Sequence, residues 1–524
     1  MTKATALPIS MFIFAMSALA ADPTIEWTGA QDLNLDNPNN WSGSFPADDT
    51  AYMSVVPSGD LTLSADSFSL YRFWMRKLVG GAAFDIGKDK SFTMSYRMFV
   101  EEGSRVQIKS GTVGVALTGN NCLFVGDSTS NNQVDAVGAD AKLVAATLQV
   151  GTSADGNIVR ISDGATAQAN TLYAGRKGAA GNVVAVSGVD SSLVIGTAYI
   201  GNGEDSTLSI SNGLVVSNGG LVAVSSSTTI GSYALTKGNY LEVGAGGVFS
   251  TTGSVTVGSQ GSSNVVSIVD GGVLSITNSN MTIGSAATAA GNVVTVSNGG
   301  ELRMSETAGT ARIIYVGLSG DDNVLRFDNG GLVRGSDSEK VNICLGGAAG
   351  SIGNRLEILN GSSVDVYRLI VGDQSDDSKL ILSNASLRVI GFRCQLSPNA
   401  GHTGNDFIIS GAASRFVASE LQMGGDSKLV FNIPTDGFDS VPVELGDNIY
   451  RTNSESPEIV VNPPRSVHNG GWHTLIRIGA GKSIESSLVG KFAITKPERV
   501  EVLYDGNEFK VRYPSNNGTL IFVR

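Results

Sequence analysis

"AGNVVTVSNGGELRM", residues Ala290–Met304, alternates apolar and polar side chains, meets an Asn-Gly-Gly turn, and alternates again. Period two marks a strand with one buried face. Near-copies stand at Gly181 ("GNVVAVSGVDSSLVI") and Ser263 ("SNVVSIVDGGVLSI"), so the phrase is a repeating unit. Aligning the chain on a short motif that ends in glycine gives one column: Gly126, Gly151, Gly175, Gly201, Gly231, Gly258, Gly284, Gly317, Gly346 and Gly372, at spacings of 24 to 33 residues. The residue before each glycine is apolar, from Val125 and Val150 to Leu345 and Val371. The position two earlier is apolar in all copies but one, Thr228.

A second column follows, read as Asn132, Asn157, Asn182, Asn239, Asn264, Asn292, Asn323 and Asn354, with Ser206 and Ser378 in the two remaining copies. Positions two and four beyond it are apolar each time, as in Val159/Ile161, Val294/Val296 and Leu356/Ile358. A third segment comes after a turn such as "SNGGELRM" or "DNGGLVRG". Each unit therefore holds three short strands.

Asn-Gly between alternating runs is also a hairpin signal, so an antiparallel meander competes with a stack of coils. Hairpins have no need of a column-for-column match over ten copies, whereas stacked coils do. In a coil each residue lies on its own kind one rung below, about 4.8 Å away, and asparagines in register form ladders of amide hydrogen bonds. Ten copies make a rod roughly 48 Å long before any N-terminal coils are added. The expected fold is all-β, a parallel β-helix solenoid of coils of about 25 residues.

The repeated "GNxVxVSxGGxLxV" pattern resembles the β-helix passengers of autotransporter-type and other bacterial surface proteins. The opening "EWTGAQDLNLDNPNNWSGSFPADDTAYM" is similar to the segment that precedes autotransporter-associated β-strand repeats, through Trp27, Gly29, Asn40, Trp41, Pro46 and Asp49. That resemblance implies a right-handed β-helix and a secreted or surface-displayed structural or adhesin-like protein, with an extracellular glycan or an envelope component as partner. It also brings the competing possibility of a polysaccharide lyase or glycoside hydrolase.

Residues 1–20 read as an export signal: Lys3, the apolar run "ALPISMFIFAMSALA", and a small-x-small site at Ala18-Leu19-Ala20. No later segment approaches membrane-spanning length. Residues 21–85 read as an N-terminal cap, with Trp27, Trp41, Tyr71, Phe73 and Trp74 placed to cover an open first rung. Residues 86–420 hold the coils, those of 86–120 degenerate. Residues 421–524 carry seven of the 13 prolines and read as an antiparallel, β-sandwich-like cap built from segments such as "KLVFNI", "PEIVVN", "KFAIT" and "TLIFVR", with a hairpin turn at Asp505-Gly506.

With a net charge of −12 and no Lys/Arg run, the chain lacks the basic face that nucleic acid requires. Cys122, Cys344 and Cys394 stand without CxxC partners and read as buried thiols. The carboxylate pairs Asp48/Asp49, Asp321/Asp322 and Asp376/Asp377 lie among Gly, Ser and Asn, where solvated turn residues are expected in place of a general acid and base. "GHTGND" (Gly401–Asp406) offers a single His, and "GDQSDDS" (Gly372–Ser378) is a turn before it is a calcium loop. No cofactor, metal site or catalytic constellation is read from the chain. One stripe does point to a ligand. Between the two inward residues of each glycine strand lie Phe124, Gln149, Tyr173, Tyr199, Thr229, Thr256, Thr282, Tyr315, Cys344 and Ile370. Facing outward, these offer flat aromatic faces beside hydroxyls, a surface on which sugar rings stack, with Phe124, Tyr173, Tyr199 and Tyr315 as the contact residues. Plain β-propensity explains the same column without any ligand.

Overall fold

The computed structural model describes residues 25–43, 50–204, 207–305, 310–334, 340–452, 456–464 and 471–513. The expected export signal, Asp48/Asp49, Pro46 and "TLIFVR" lie outside these residues. Strands pile up as parallel coils, about 16 turns in all. In one coil the asparagine is followed by Val265–Ile268, the middle strand is Val273–Thr277, and the glycine strand is Met281–Ile283. In the next coil Val293–Ser297, Glu301–Ser305 and Arg312–Val316 lie on these three in parallel register. Elsewhere the middle and glycine strands run together as one bent strand, as in Thr166–Arg176 and Ser192–Asn202.

The hairpin signal turns out to be a coil corner. Asn298 and Gly299 both have positive φ, 52° and 74°, and the Gly300 amide donates to the Ser297 carbonyl at 2.9 Å. That is the turn chemistry of a hairpin, yet the strands it joins pair with the coils before and after and not with each other. The inward side chains of this coil (Val294, Val296, Leu302, Met304, Ile314 and Val316) are all buried. Each contributes on the order of 1.5–3 kcal/mol on burial.

The asparagine column is an unbroken ladder from Asn132 to Asn354. Each Oδ1 accepts both the backbone N–H and the Nδ2 of the asparagine one coil earlier: Asn239 reaches Asn264 at 3.1 and 3.2 Å, and Asn264 reaches Asn292 at 2.9 and 3.0 Å. One assignment needs correction. The member between Asn182 and Asn239 is Asn212, which accepts from Asn182 at 3.0 and 2.9 Å; Ser206 lies outside the described residues. This coil carries extra residues after Gly201, which shifted the alignment. Ser378 does occupy the column, and there Asn354 Nδ2 is buried without a partner. The ladder resumes with the Ser378 amide donating to Asn405 Oδ1 at 2.8 Å.

The glycine column is the other half of this device. Gly258 has φ +73°, and a Cβ placed on it would stand 2.3 Å from Asn292 Nδ2. Gly126, Gly151, Gly175, Gly201, Gly231, Gly284, Gly317 and Gly372 meet the ladder asparagine in the same way. A side chain here would push the amide out of line.

At both ends the coils extend further than the sequence boundaries suggest. Ile25–Glu26, Thr50–Met53, Ser67–Arg76 and Ser91–Glu101 already stack in parallel. Of the five aromatics expected to cap the core, Trp27, Trp41 and Phe73 are buried in it, whereas Tyr71 and Trp74 lie on the outer surface. Past residue 420, Lys428–Asn432, Glu458–Asn462 and Ala493–Thr495 continue the parallel stack. Antiparallel pairing, expected throughout this segment, is confined among its described residues to His473–Arg477, Glu501–Asp505 and Glu508–Arg512. Of the prolines that suggested a sandwich, Pro442 and Pro457 just precede strands and Pro463 follows one, where no ladder N–H is lost.

Replacing Asn264 by alanine strips both acceptor contacts from Asn239. The expected cost is about 2–4 kcal/mol, read as lost amide-exchange protection centred on the coils of Asn239 and Asn292; unchanged protection there would remove the ladder as a source of stability. Conversely, the Thr228 hydroxyl is buried among inward residues without a partner. Thr228→Val is expected to stabilise the protein by about 1 kcal/mol, seen as a higher denaturation midpoint.

Candidate outward binding face

The outward stripe on the glycine strands is present and longer than the repeat alignment showed. In parallel register it runs Tyr52, Trp74, Phe99, Phe124, Gln149, Tyr173, Tyr199 and Thr229, then Thr256, Thr282, Tyr315, Cys344, Ile370, Gln395, Gln422 and Tyr450. The first members escaped because Tyr52 and Trp74 lie in the segment read as a cap and residues 86–120, which hold Phe99, lack the glycine column. A signal was nevertheless there: Tyr71-Arg72-Phe73-Trp74 recurs as Tyr96-Arg97-Met98-Phe99, 25 positions on.

Stacking in register changes what the rings can offer. Trp74 and Phe99 lie 4.6 Å apart at 4°, and Phe99 and Phe124 4.9 Å apart at 6°. With Cys122 these form a small apolar cluster on the outside of the sheet. Phe124 is only 8% exposed and Cys344 6%, so neither presents a free face. Tyr173 and Tyr199 stack at 5.1 Å and 12°, and Arg176 covers Tyr173 at 4.8 Å while pairing with Glu204 at 2.6 Å. Burial pushes the Tyr173 and Tyr315 hydroxyls above the ordinary tyrosine range. The flat faces expected of Phe124 and Tyr173 are thus taken by their neighbours.

Where the stack ends, a face opens. Beyond Tyr199 the column drops to Thr229, Thr256 and Thr282 before rising again at Tyr315, and all five side chains are partly exposed. Ser227, Ser254 and Asn280 flank the threonines on one side and Ser259 and Ser285 on the other, while the Ser232 hydroxyl beside them is shut off from solvent. The result is a floor of hydroxyls three coils long with a tyrosine at each end, Tyr199 and Tyr315 being about 19 Å apart at four strand spacings.

The remaining candidates resolve into corners and core. Asp322 and Asp377 adopt positive φ just before the ladder position, while Asp321 and Asp376 accept the Ile352 and Thr403 amides of the following coil at 2.9 and 2.6 Å. These carboxylates pin turns. His402 Nδ1 lies 3.6 Å from Asp376 Oδ1. No cluster of three or more His, Cys, Asp or Glu side chains stands within metal-binding reach among the described residues. All three thiols are free and buried, and burial pushes those of Cys122 and Cys344 up to about 12. Cys344 lies on the outward stripe and Cys394 in the core, so the two point to opposite sides of the sheet. No helix of the described residues is long and apolar enough to cross a membrane.

No family model and no curated protein matches the chain. Among solved structures the chain is similar to the TibC-catalyzed hyper-glycosylated TibA55-350 fragment, with 13% sequence identity and a TM-score of 0.26 over 70% of this chain and 97% of that one.

Proposed function

We propose that the protein is a non-catalytic β-helical shaft, carried on the cell surface or released from it, that holds a glycan along the Tyr199–Tyr315 floor. The observation that carries this reading is the interrupted stripe: tyrosines bounding Thr229, Thr256 and Thr282, with serine hydroxyls on both flanks. Pyranose rings present C–H faces and hydroxyl edges, which match ring faces and hydroxyl rows respectively. Coils one strand spacing apart place one threonine per step along a linear chain. The carboxylates of the corners are held by backbone amides, which supports a surface that binds over one that cleaves. The adhesin-like placement outside the cell rests on the autotransporter-type repeat pattern and on the export signal read in residues 1–20.

The test is a glycan array on the full chain, followed by titration of the best binder. Tyr199→Ala combined with Tyr315→Ala is expected to weaken that affinity about tenfold, some 1.4 kcal/mol, with the bound glycan recovered at its original length. Unchanged retention by the double variant, or shortened glycan, would overturn the reading.

A further inference from the structure

The first coils hold a second feature of the same outer face, and its chemistry differs from that of the hydroxyl floor. Along most of the solenoid, charged residues stacked in register alternate in sign. Arg160 lies 3.4 Å from Asp135, Arg326 2.6 Å from Glu357, Lys379 2.6 Å from Asp406, Arg388 3.0 Å from Asp365 and Lys428 3.0 Å from Glu458. Like charges directly across a ladder repel, and alternation removes that cost.

Two like-charged register pairs break the pattern. Arg355 lies on Lys379, and each has a carboxylate of its own, Glu357 at 3.9 Å and Asp406 at 2.6 Å. Arg72 and Arg97 have none among the described residues. They are register partners on adjacent coils, followed by Cys122 and not by a carboxylate. Among the described residues neither guanidinium forms an ion pair or a hydrogen bond; what holds them is aromatic. Arg72 lies 5.3 Å from the Tyr71 ring centre and 4.8 Å from that of Tyr96. Arg97 lies 4.6 Å from Tyr96 and 5.6 Å from Phe124. The two tyrosines are themselves stacked, 5.2 Å apart at 16°. Both Nε atoms are shut off from solvent without an acceptor, yet both side chains are partly exposed. The exposure therefore falls on the rest of each side chain, whose terminal nitrogens have no partner. Tyr71, 42% exposed, forms a shelf beside them.

Two fixed, half-dehydrated guanidiniums one strand spacing apart are a receptor for two anionic groups at that spacing. Arginine meets a carboxylate with a planar fork of donors, and the aromatic clamp orients the fork before the ligand arrives. The spacing of about 4.8 Å is close to the length of one pyranose residue, so a polysaccharide lying along the shaft brings one carboxylate to each arginine. Nucleic acid carries a far denser charge, one per roughly 1.7 Å of duplex axis. That density meets a chain of net charge −12, a mismatch that favours the sparser polyanion.

We infer that the Tyr71–Arg72–Tyr96–Arg97 stack is a subsite for a carboxylated polysaccharide, selecting acidic glycans over neutral ones. This inference rests on the glycan-binding reading above and deepens it, since the stack lies on the same face, four to five coils before Tyr199.

The experiment is calorimetric titration of the full chain with polygalacturonate and alginate, alongside fully methyl-esterified polygalacturonate, dextran, duplex DNA and vesicles containing an anionic phospholipid. At least one carboxylated polysaccharide is expected to bind, at least tenfold more tightly than its uncharged counterpart and more weakly as salt rises. Arg72→Gln with Arg97→Gln is expected to remove that tenfold preference, leaving the affinity shown by the neutral chain. Arg72→Lys with Arg97→Lys, which keeps the charge but loses the planar fork, is expected to fall between. Three results overturn the inference: no carboxylated polysaccharide binding, equal affinity for acid and ester, or a preference that survives the glutamine variant. Binding of DNA or vesicles as tight as that of the polysaccharides overturns it too, in favour of a general anion patch. The acid-against-ester comparison needs no variant and stands even where a substitution disturbs folding. Neutral glycan retained on the Tyr199–Tyr315 floor, with no preference for acid, sinks this inference alone; loss of all glycan binding sinks both readings.

Discussion

A buried amide that must find its partner one coil away is the constraint from which the rest of this solenoid follows. Each ladder asparagine from Asn132 to Asn323 satisfies its side-chain amide and the backbone N–H of its own residue through a single oxygen on the next coil. An unsatisfied polar group in such a position costs about 1–3 kcal/mol, so a coil that slips by one residue loses two bonds and turns its apolar set outward at once. The glycine column exists because that oxygen needs room. Solenoid stability is close to a sum of neighbour terms, and here the neighbour term is specific in register as well as favourable in area.

Much of this was legible because stacking writes itself into the sequence. A ladder demands the same residue at each level, a corner demands Asn-Gly or Asp-Gly, and both leave columns that align without a structure. Legibility failed where a coil changes length or its markers drop out. The coil after Gly201 took Ser206 in place of Asn212, and the coils before residue 86 were read as a cap, those of 86–120 as degenerate, because they keep the inward alternation but lack the glycine. The C-terminal prolines misled for a related reason: composition shifted, while the parallel pairing of Glu458–Asn462 did not. Antiparallel strands and corner-bounded parallel strands share one local signature, and only register separates them.

The outer face was legible as a list of residues but not as a surface. Sequence placed Phe124, Tyr173, Tyr199 and Tyr315 on one stripe. It could not say that stacking would close the face of Phe124 and leave the open ones at the ends of the threonine run. The same self-stacking that makes aromatics good solenoid residues removes them from recognition. The proposed contacts lie where the column changes character: the step from Tyr199 to Thr229, and the stacked Arg72 and Arg97 that no carboxylate of the described residues pairs.

All of this presumes that matching positions climb one straight column. Spin labels attached at cysteines placed at Tyr52, Thr229 and Ile370, with the three buried native thiols replaced, measure that column directly. Seven register steps separate the first pair of sites and five the second. Pairwise distances of about 34 and 24 Å, with about 58 Å between the outer two, are expected at one strand spacing per step. An outer distance well short of the other two combined would mean that the units fold back on one another, and the account of the ladder would fall.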